Sequence, residues 1–371
     1  MKQAAQPLDP SPIRLNRNTL LRLHTDAHKT AAAVHLVYIT DKEPGITRVR
    51  KGDSFTYLMD GKALKTTEHI NRIKALVIPP AWENVWISPI ANSHLQVTGY
   101  DARGRKQYRY HQLWSSVRNQ TKFFHMHAFG QALPAIRRQL EKDLSLNGLP
   151  QEKVLAAVIS IMQCTCIRIG NDAYEKLYGS FGLTTLKDQH VKVNGGSVQF
   201  SFKGKKGVYH KVDMKSRKLA RIVQQCRDIP GKELFQYYTD DGTKKAIDSG
   251  MVNAYIRQIS NGDFTAKDFR TWAGSLKALE VLKEIEKPAS ETQAKKKIVE
   301  VLDIVAGHLG NTRTVCKKYY VHPILFDHFT NHTLHKFISN PSLTCEPQQG
   351  LTGEEQLLMA ILESNKSTII T

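Results

Sequence analysis

Cysteine is scarce in this chain. Its 371 residues include five: Cys164, Cys166, Cys226, Cys316 and Cys345. The number is odd and no CxxC pair occurs, which argues against both a disulfide framework and a zinc site. No run of about 18 apolar residues exists, so no membrane span is expected. The N-terminal stretch MKQAAQPLDPSPIRLNR has no apolar core of signal-peptide length. A reducing, cytoplasmic setting follows as the expectation. The phosphate-cradling GxxxxGK[ST] loop is also missing, so no nucleotide is expected as a partner. Acidic residues are comparatively few, and no Asp/Glu cluster suited to magnesium accompanies the polar motifs. No cofactor and no metal are therefore expected. Internal repeats and low-complexity tracts are absent as well.

Positive charge is abundant: 53 Lys+Arg stand against 34 Asp+Glu, a net +19. A soluble protein this basic usually meets a polyanion. The charge is concentrated. Residues 101–125 carry Arg103, Arg105, Lys106, Arg109, Arg118 and Lys122 against Asp101 alone. Residues 202–221 carry Lys203, Lys205, Lys206, Lys211, Lys215, Arg217, Lys218 and Arg221 against Asp213 alone. Such clusters neutralise phosphates and release counterions, so binding should weaken steeply with salt.

With 41% hydrophobic residues the chain can bury a sizeable core, and its length suits two or three domains. The pattern predicts an α+β protein. Residues 1–20 read as a loose lead-in, and a helical pattern runs from Leu20 to about Val37. Short strands and turns such as FTYLMDG, VWISPI and HLQVTGYD fill 45–111, and Pro79-Pro80 breaks any helix there. This gives a β-rich N-terminal domain over 1–112. A mostly helical domain over 113–337 follows. In it Val154, Leu155, Val158, Ile159 and Met162 share one helix face, and Asn171 and Gly179 cap a second helix. HVKV, SVQFSF and VYHKV alternate as a three-stranded meander around an Asn194-Gly195 turn and a KGKKG turn. Helices then dominate to Phe337. Residues 338–371 read as a linker, Ser339–Pro347, and one short helix, Gly353–Leu362.

The polar motifs CIRIGND (166–172), FKGKKG (202–207), KDFRTWAG (267–274) and LGNTRTVCKKYYVHP (309–323) occur in that order. Among their residues, one from each of the first three and two from the last give two arginines, a lysine, an amide and a phenol. This inventory suits attack on a phosphodiester by tyrosine. Charge building on the non-bridging oxygens needs positioned donors, for which the planar fork of arginine is well shaped. The leaving alkoxide needs a proton, and a lysine beside other cations can give one. Arg168, Lys205, Arg270, Asn311 and Tyr320 fill these roles. Each alone has a plainer reading: a surface arginine, a solvated turn lysine, an ion-paired arginine, a helix cap and a core tyrosine. Their ordered conjunction carries the specificity.

In these motifs the chain resembles the type IB DNA topoisomerases of the compact bacterial and poxvirus-like kind, over roughly residues 45–325. GITRVRKGDSFTY, INRIKALVIPPAWENVWI, GYDARGRKQYRYH and FGLTTLKDQHV add to the likeness. The resemblance implies the DNA breaking-rejoining fold shared with tyrosine recombinases. It also implies that duplex DNA is the partner of a monomeric, nucleoid-associated enzyme. Arg168 and Arg270 become the catalytic arginines and Lys205 the hairpin general acid. Asn311 stands where poxvirus enzymes have histidine, and Tyr320 becomes the nucleophile that forms a 3′-phosphotyrosyl bond. Tyr320 is preferred to Tyr319 because it directly precedes the hydrophobic-His-Pro run, nine residues after Asn311. Gln107, Tyr108 and Tyr110 match residues that contact the DNA major groove, while Arg103, Arg105, Lys106, Lys203 and Lys206 would hold phosphates. The alternatives are a site-specific tyrosine recombinase, disfavoured by the β-rich N-terminal half and by the KDFRTWAG box, and a DNA-binding protein without activity.

Overall fold

A computed structural model describes residues 13–16, 26–239, 241–340, 350–364 and 367–370. Most of the expected lead-in, 1–20, and of the expected linker, Ser339–Pro347, lies outside the described residues. Strand β1 (Ile13–Asn16) is described and pairs antiparallel with the strand Ser367–Ile370. The chain divides into two compact units, Met1–His125 with Lys366–Thr371, and Met126–Asn365.

In the first unit the helix expected from Leu20 to Val37 is shorter. Among the described residues it is α1 (Ala27–Ala32), capped by the Asp26 carboxylate, which accepts from Lys29 N at 3.0 Å. Strands β2 (Ile46–Lys51), β3 (Ser54–Met59) and β4 (Lys62–Ala63) precede helix α2 (Thr67–Ala75). Strands β5 (Glu83–Ile87), β6 (Leu95–Tyr100) and β7 (Lys106–Tyr110) follow it. They form one antiparallel sheet ordered β4-β3-β2-β5-β6-β7, so β7 is an edge strand. Ile73 of α2 closes one face of the sheet with Ile46, Val85, Ile87 and Val97, all buried. The turn at Pro79-Pro80 is held by Arg48, whose Nη2 donates to the carbonyls of Pro79 at 3.1 Å and Trp82 at 2.5 Å.

Helix α3 (Gln112–Leu144) begins in the first unit and ends in the second. At the centre of the second unit is α4 (Gln151–Thr165). The sequence assigned it one apolar face, yet Ala156, Ala157 and Ile161 are as buried as Val154 and Ile159. Packing explains this. The helix contacts α6 (Arg217–Arg227), α7 (Ser249–Ser260), α8 (Ala266–Glu284) and the meander, so its small residues are covered too. Helix α5 (Asp172–Tyr178) is capped by Asn171 and ended by Gly179 in the left-handed region, φ 56°. The meander is β8 (Val191–Asn194), β9 (Ser197–Lys203) and β10 (Tyr209–Lys215), ordered β10-β9-β8.

Helices do not run unbroken after Lys215. A two-stranded ribbon, β11 (Gln236–Tyr238) and β12 (Lys244–Ala246), separates α6 from α7. The Asp241-Gly242 turn drives it, with Gly242 at φ 77° and Thr239 N donating to Thr243 O at 2.9 Å. Then come α9 (Glu291–Leu309), α10 (Arg313–Tyr319), α11 (Pro323–Thr330), α12 (Leu334–Ile338) and α13 (Gly353–Glu363). Helix α13 belongs to the core: Leu357, Leu358 and Ile361 are buried. Its Glu355 accepts from Trp272 Nε1 on α8 at 3.0 Å and from both Arg137 terminal nitrogens at 2.8 Å. Among the described residues no helix is long and apolar enough to cross a membrane.

Candidate active site

Four backbone turns bring the polar motifs together in the second unit. At the end of α4, Cys166 takes the left-handed conformation (φ 55°), which turns the chain sharply. The following Arg168–Gly170 segment is clamped by the FGLTT turn. Leu183 N donates to Arg168 O at 2.9 Å and Thr184 N to Ile169 O at 2.6 Å. A Cβ on Gly182 would fall 2.5 Å from Gly170 N and 2.6 Å from Arg168 O, so only glycine permits this closure. Arg168 is thereby aimed at the C-terminus of α9. Its Nη2 donates to Gly310 O at 3.1 Å and to Asn311 Oδ1 at 2.5 Å. Burial, and then the neighbouring Arg270 cation, push its pKa down to about 10.

Arg270 lies in the first turns of α8, whose start is fixed by a capping box in which Thr265 N donates to Asp268 Oδ2 at 2.8 Å. Arg270 is 5% exposed. It donates to Cys166 O and, at 2.8 Å, to Leu309 O. It thus ties together the C-terminal ends of α4 and α9, where unpaired carbonyls carry partial negative charge. The guanidinium carbon also sits 5.3 Å from the centroid of the Tyr320 ring. Asn311 follows Gly310, which caps α9 at φ 57°. Its Oδ1 takes the Arg168 bond, while its Nδ2 donor is buried with no partner among the described groups.

Tyr320 caps α10 and packs on α8. Ser275 Oγ donates to Tyr320 O at 3.1 Å and accepts from His322 N at 2.9 Å. Gly274 leaves the space for that approach. Tyr320 is half-buried and lines a cavity of about 400 Å³ with Arg168, Arg270, Lys205, Lys267 and Tyr174. Tyr319 is 37% exposed, with Lys318 Nζ 5.4 Å from its ring centroid. Lys205 is on the turn between β9 and β10, with its Nζ 5.6 Å from the Tyr174 ring centroid. Lys203 and Lys206 are exposed on the same hairpin. Two further contributors are Gly274, the last residue of the KDFRTWAG motif, and Ser275, which directly follows it; that adjacency to the arginine is the signal the sequence carries.

The basic edge strand of the first unit divides its residues between two faces. Side chains alternate along a strand, so Lys106, Tyr108 and Tyr110 point to one exposed face while Gln107 and Arg109 point to the other. Tyr108 and Tyr110 stack with centroids 6.0 Å apart at 6°. Asp101 organises the opposite side. It accepts from Arg103 N and Arg105 N at 3.0 Å, from Arg105 Nε at 2.7 Å and from Gln107 Nε2 at 2.9 Å. The Arg105 side chain and these backbone donors hold the Asp101 carboxyl down at about 2. Lys106 pairs with Asp41. Two of the cations assigned to phosphate, Arg105 and Lys106, are therefore already ion-paired, whereas Arg103 is exposed.

The eukaryotic DNA topoisomerase I catalytic core family matches residues 107–338, and the bacterial DNA topoisomerase IB N-terminal domain family matches 54–101. DNA topoisomerase 1B of Acanthamoeba polyphaga mimivirus is 30% identical over 334 residues, covering 88% of this chain and 96% of that protein. DNA topoisomerase I of monkeypox virus is 23% identical over 264 residues, covering 71% of this chain and 80% of its own. DNA topoisomerase 1B of vaccinia virus (strain Western Reserve) is similar to the same extent, 23% over 264 residues. With a catalytic-core match over more than half its length and a relative aligned nearly end to end, the chain belongs to the type IB DNA topoisomerase family.

Proposed function

We propose that this type IB DNA topoisomerase relaxes supercoiled duplex DNA by cutting one strand with Tyr320 and resealing it, needing neither nucleotide nor metal. The observation that carries the reading is the convergence of Arg168, Lys205, Arg270 and Tyr320 on one cavity, with Asn311 bonded to Arg168. The Tyr320 oxygen attacks phosphorus, its proton passes to solvent, and the bond from phosphorus to the 5′-oxygen breaks. Lys205 gives that oxygen a proton. Arg168 and Arg270 bind the non-bridging oxygens as charge builds on them. The unpartnered Asn311 Nδ2 donor suits a further bond to one of them. The carbonyls that hold Arg270 leave its buried Nε without a partner among the described groups. Phosphotyrosine conserves the bond energy, so the 5′-hydroxyl can reseal the strand after swivelling.

The same reading gives the second unit the fold of the tyrosine recombinases and assigns catalysis to residues 113–337. It assigns DNA clamping to 1–112, with the Tyr108 and Tyr110 face and Gln107 at the major groove. The protein acts as a monomer on cytoplasmic, nucleoid DNA. Relaxation of a plasmid lacking any special site, with EDTA and without nucleotide, tests the activity and separates it from a site-specific recombinase. Tyr320→Phe should bind DNA yet neither relax it nor form a covalent adduct, while Tyr319→Phe should remain active. An adduct mapped to Tyr319 would overturn the assignment.

A further inference from the structure

His210 on β10 lies opposite Phe202 on β9, and the two rings stack with centroids 5.2 Å apart at 17°. The far edge of the imidazole reaches between two turns. A Cβ on Gly204 would fall 2.5 Å from its Cδ2 and 2.6 Å from its Nε2, and a Cβ on Gly310 would fall 2.4 Å from its Cε1. Gly204 directly precedes Lys205, and Gly310 directly precedes Asn311. Two glycines thus let one ring touch both turns at once. Burial, and then the charges of Arg168 and Arg270, lower the His210 pKa. The ring is therefore a neutral wedge and not a third cation.

The Lys205 turn has need of a brace. Its own bonds, Gly204 N to Val208 O at 2.7 Å and Gly207 N to Gly204 O at 3.1 Å, close the hairpin but do not place it. Phe181 N donates to Lys203 O at 2.8 Å, which ties the strand end to the FGLTT side. The imidazole contacts the Asn311 side. We propose that His210 is a positioning residue that braces the Lys205 turn against the Gly310–Asn311 turn, and so fixes where the acid meets the leaving oxygen. The inference rests on the reading of Lys205 as general acid.

The test compares two duplexes carrying a cleavage site mapped with the unaltered protein, one with the normal 5′-oxygen and one with sulfur in its place. A thiolate leaves without a proton, because an ordinary thiol pKa is about 8.5, whereas an alkoxide needs the acid. A misplaced catalytic group can cost about 10²-fold. His210→Ala should therefore cleave the oxygen duplex about 10- to 100-fold more slowly in single turnover, yet cleave the sulfur duplex within about threefold of normal. His210→Phe, which keeps a flat ring, should recover most of the rate. Gly204→Ala, which drives a methyl into the ring, should show the same selective loss, and adding His210→Ala should deepen it little because the contact is already broken.

Lys205→Ala is the control. If sulfur fails to rescue it, the general-acid reading itself falls. If sulfur rescues Lys205→Ala but His210→Ala loses equally on both duplexes, the brace is refuted and the reading stands. Should His210→Ala not fold, Gly204→Ala decides: equal losses overturn the proposal, and a loss confined to the oxygen duplex supports it.

Discussion

Replacing Gly274 with alanine sets two physical effects against each other at the nucleophile. On a solvent-facing helix this change gains about 1 kcal/mol of helix propensity. Here the new Cβ would fall 2.8 Å from Tyr320 O and 3.1 Å from both Tyr320 Cβ and Leu309 Cδ1. Ordinary contacts begin near 3.4 Å, so the Tyr320 carbonyl is about 0.6 Å too close. It cannot simply retreat, because Ser275 Oγ holds it at 3.1 Å and the same oxygen accepts from His322 N. Overpacking of this kind costs about 1–3 kcal/mol. Against the gain in propensity, the net stability loss should be about 0–2 kcal/mol. Catalysis should suffer more, since displacing a reacting group by 1 Å can cost about 10²-fold. Gly274→Ala should slow single-turnover cleavage about 10-fold, while gel-shift affinity for DNA stays near normal. Cleavage at the normal rate in a protein of equal or higher melting temperature would refute the claim that α8 positions the tyrosine.

Glu355→Ala leaves Trp272 Nε1 without its acceptor and Arg137 without its ion pair, with only Gly350 O still bonded; buried pairs broken this way lose about 3–5 kcal/mol, and about 3 is expected because the Arg137 side chain is 34% exposed. Burial raises the Glu355 pKa, but Arg137, Thr352 N and Trp272 outweigh it and the pKa is lowered, so its contribution is present above about pH 4.5 and lost as pH falls through the folded value. Melting curves between pH 7 and pH 3 should therefore show the gap between variant and normal protein narrowing on acidification. Arg168→Lys keeps the charge but cannot bond both Gly310 O and Asn311 Oδ1 while holding phosphate; cleavage should drop about 10²-fold or more with little change in binding. Asp101→Ala removes a negative charge and its bonds to Arg105 and Gln107, so non-specific DNA binding should tighten at low salt while preference among cleavage sites flattens. Unchanged site preference in deep sequencing of cleavage products would remove Asp101 from that role.

The short local signals were readable in advance. Asn171 and Gly179 bound their helix because capping is decided within four residues. The meander followed from strict alternation and two glycine turns. The burial of Ala156, Ala157 and Ile161 of α4 was not readable, because the sequence shows which residues are apolar but not which elements will cover them. The split between Gln107 and the two tyrosines follows from strand alternation once β7 is known to be a strand. The pairing of Lys106 with Asp41 does not, because the partner of a charge distant in sequence is set by how the segments are laid side by side.

The sequence by itself determined the chemical inventory, the order of the motifs and the helix caps, since these are properties of residue type and neighbouring residues. The tertiary structure alone decided that Arg270 spans the ends of two helices, that His210 reaches two turns, and that Tyr320 faces the cavity while its neighbour faces solvent. The contacts that assemble the site join residues separated by up to 143 positions, as from Arg168 to Asn311. No local rule fixes such distances; they arise when apolar faces close around α4 and carry the polar ends of the helices to one place.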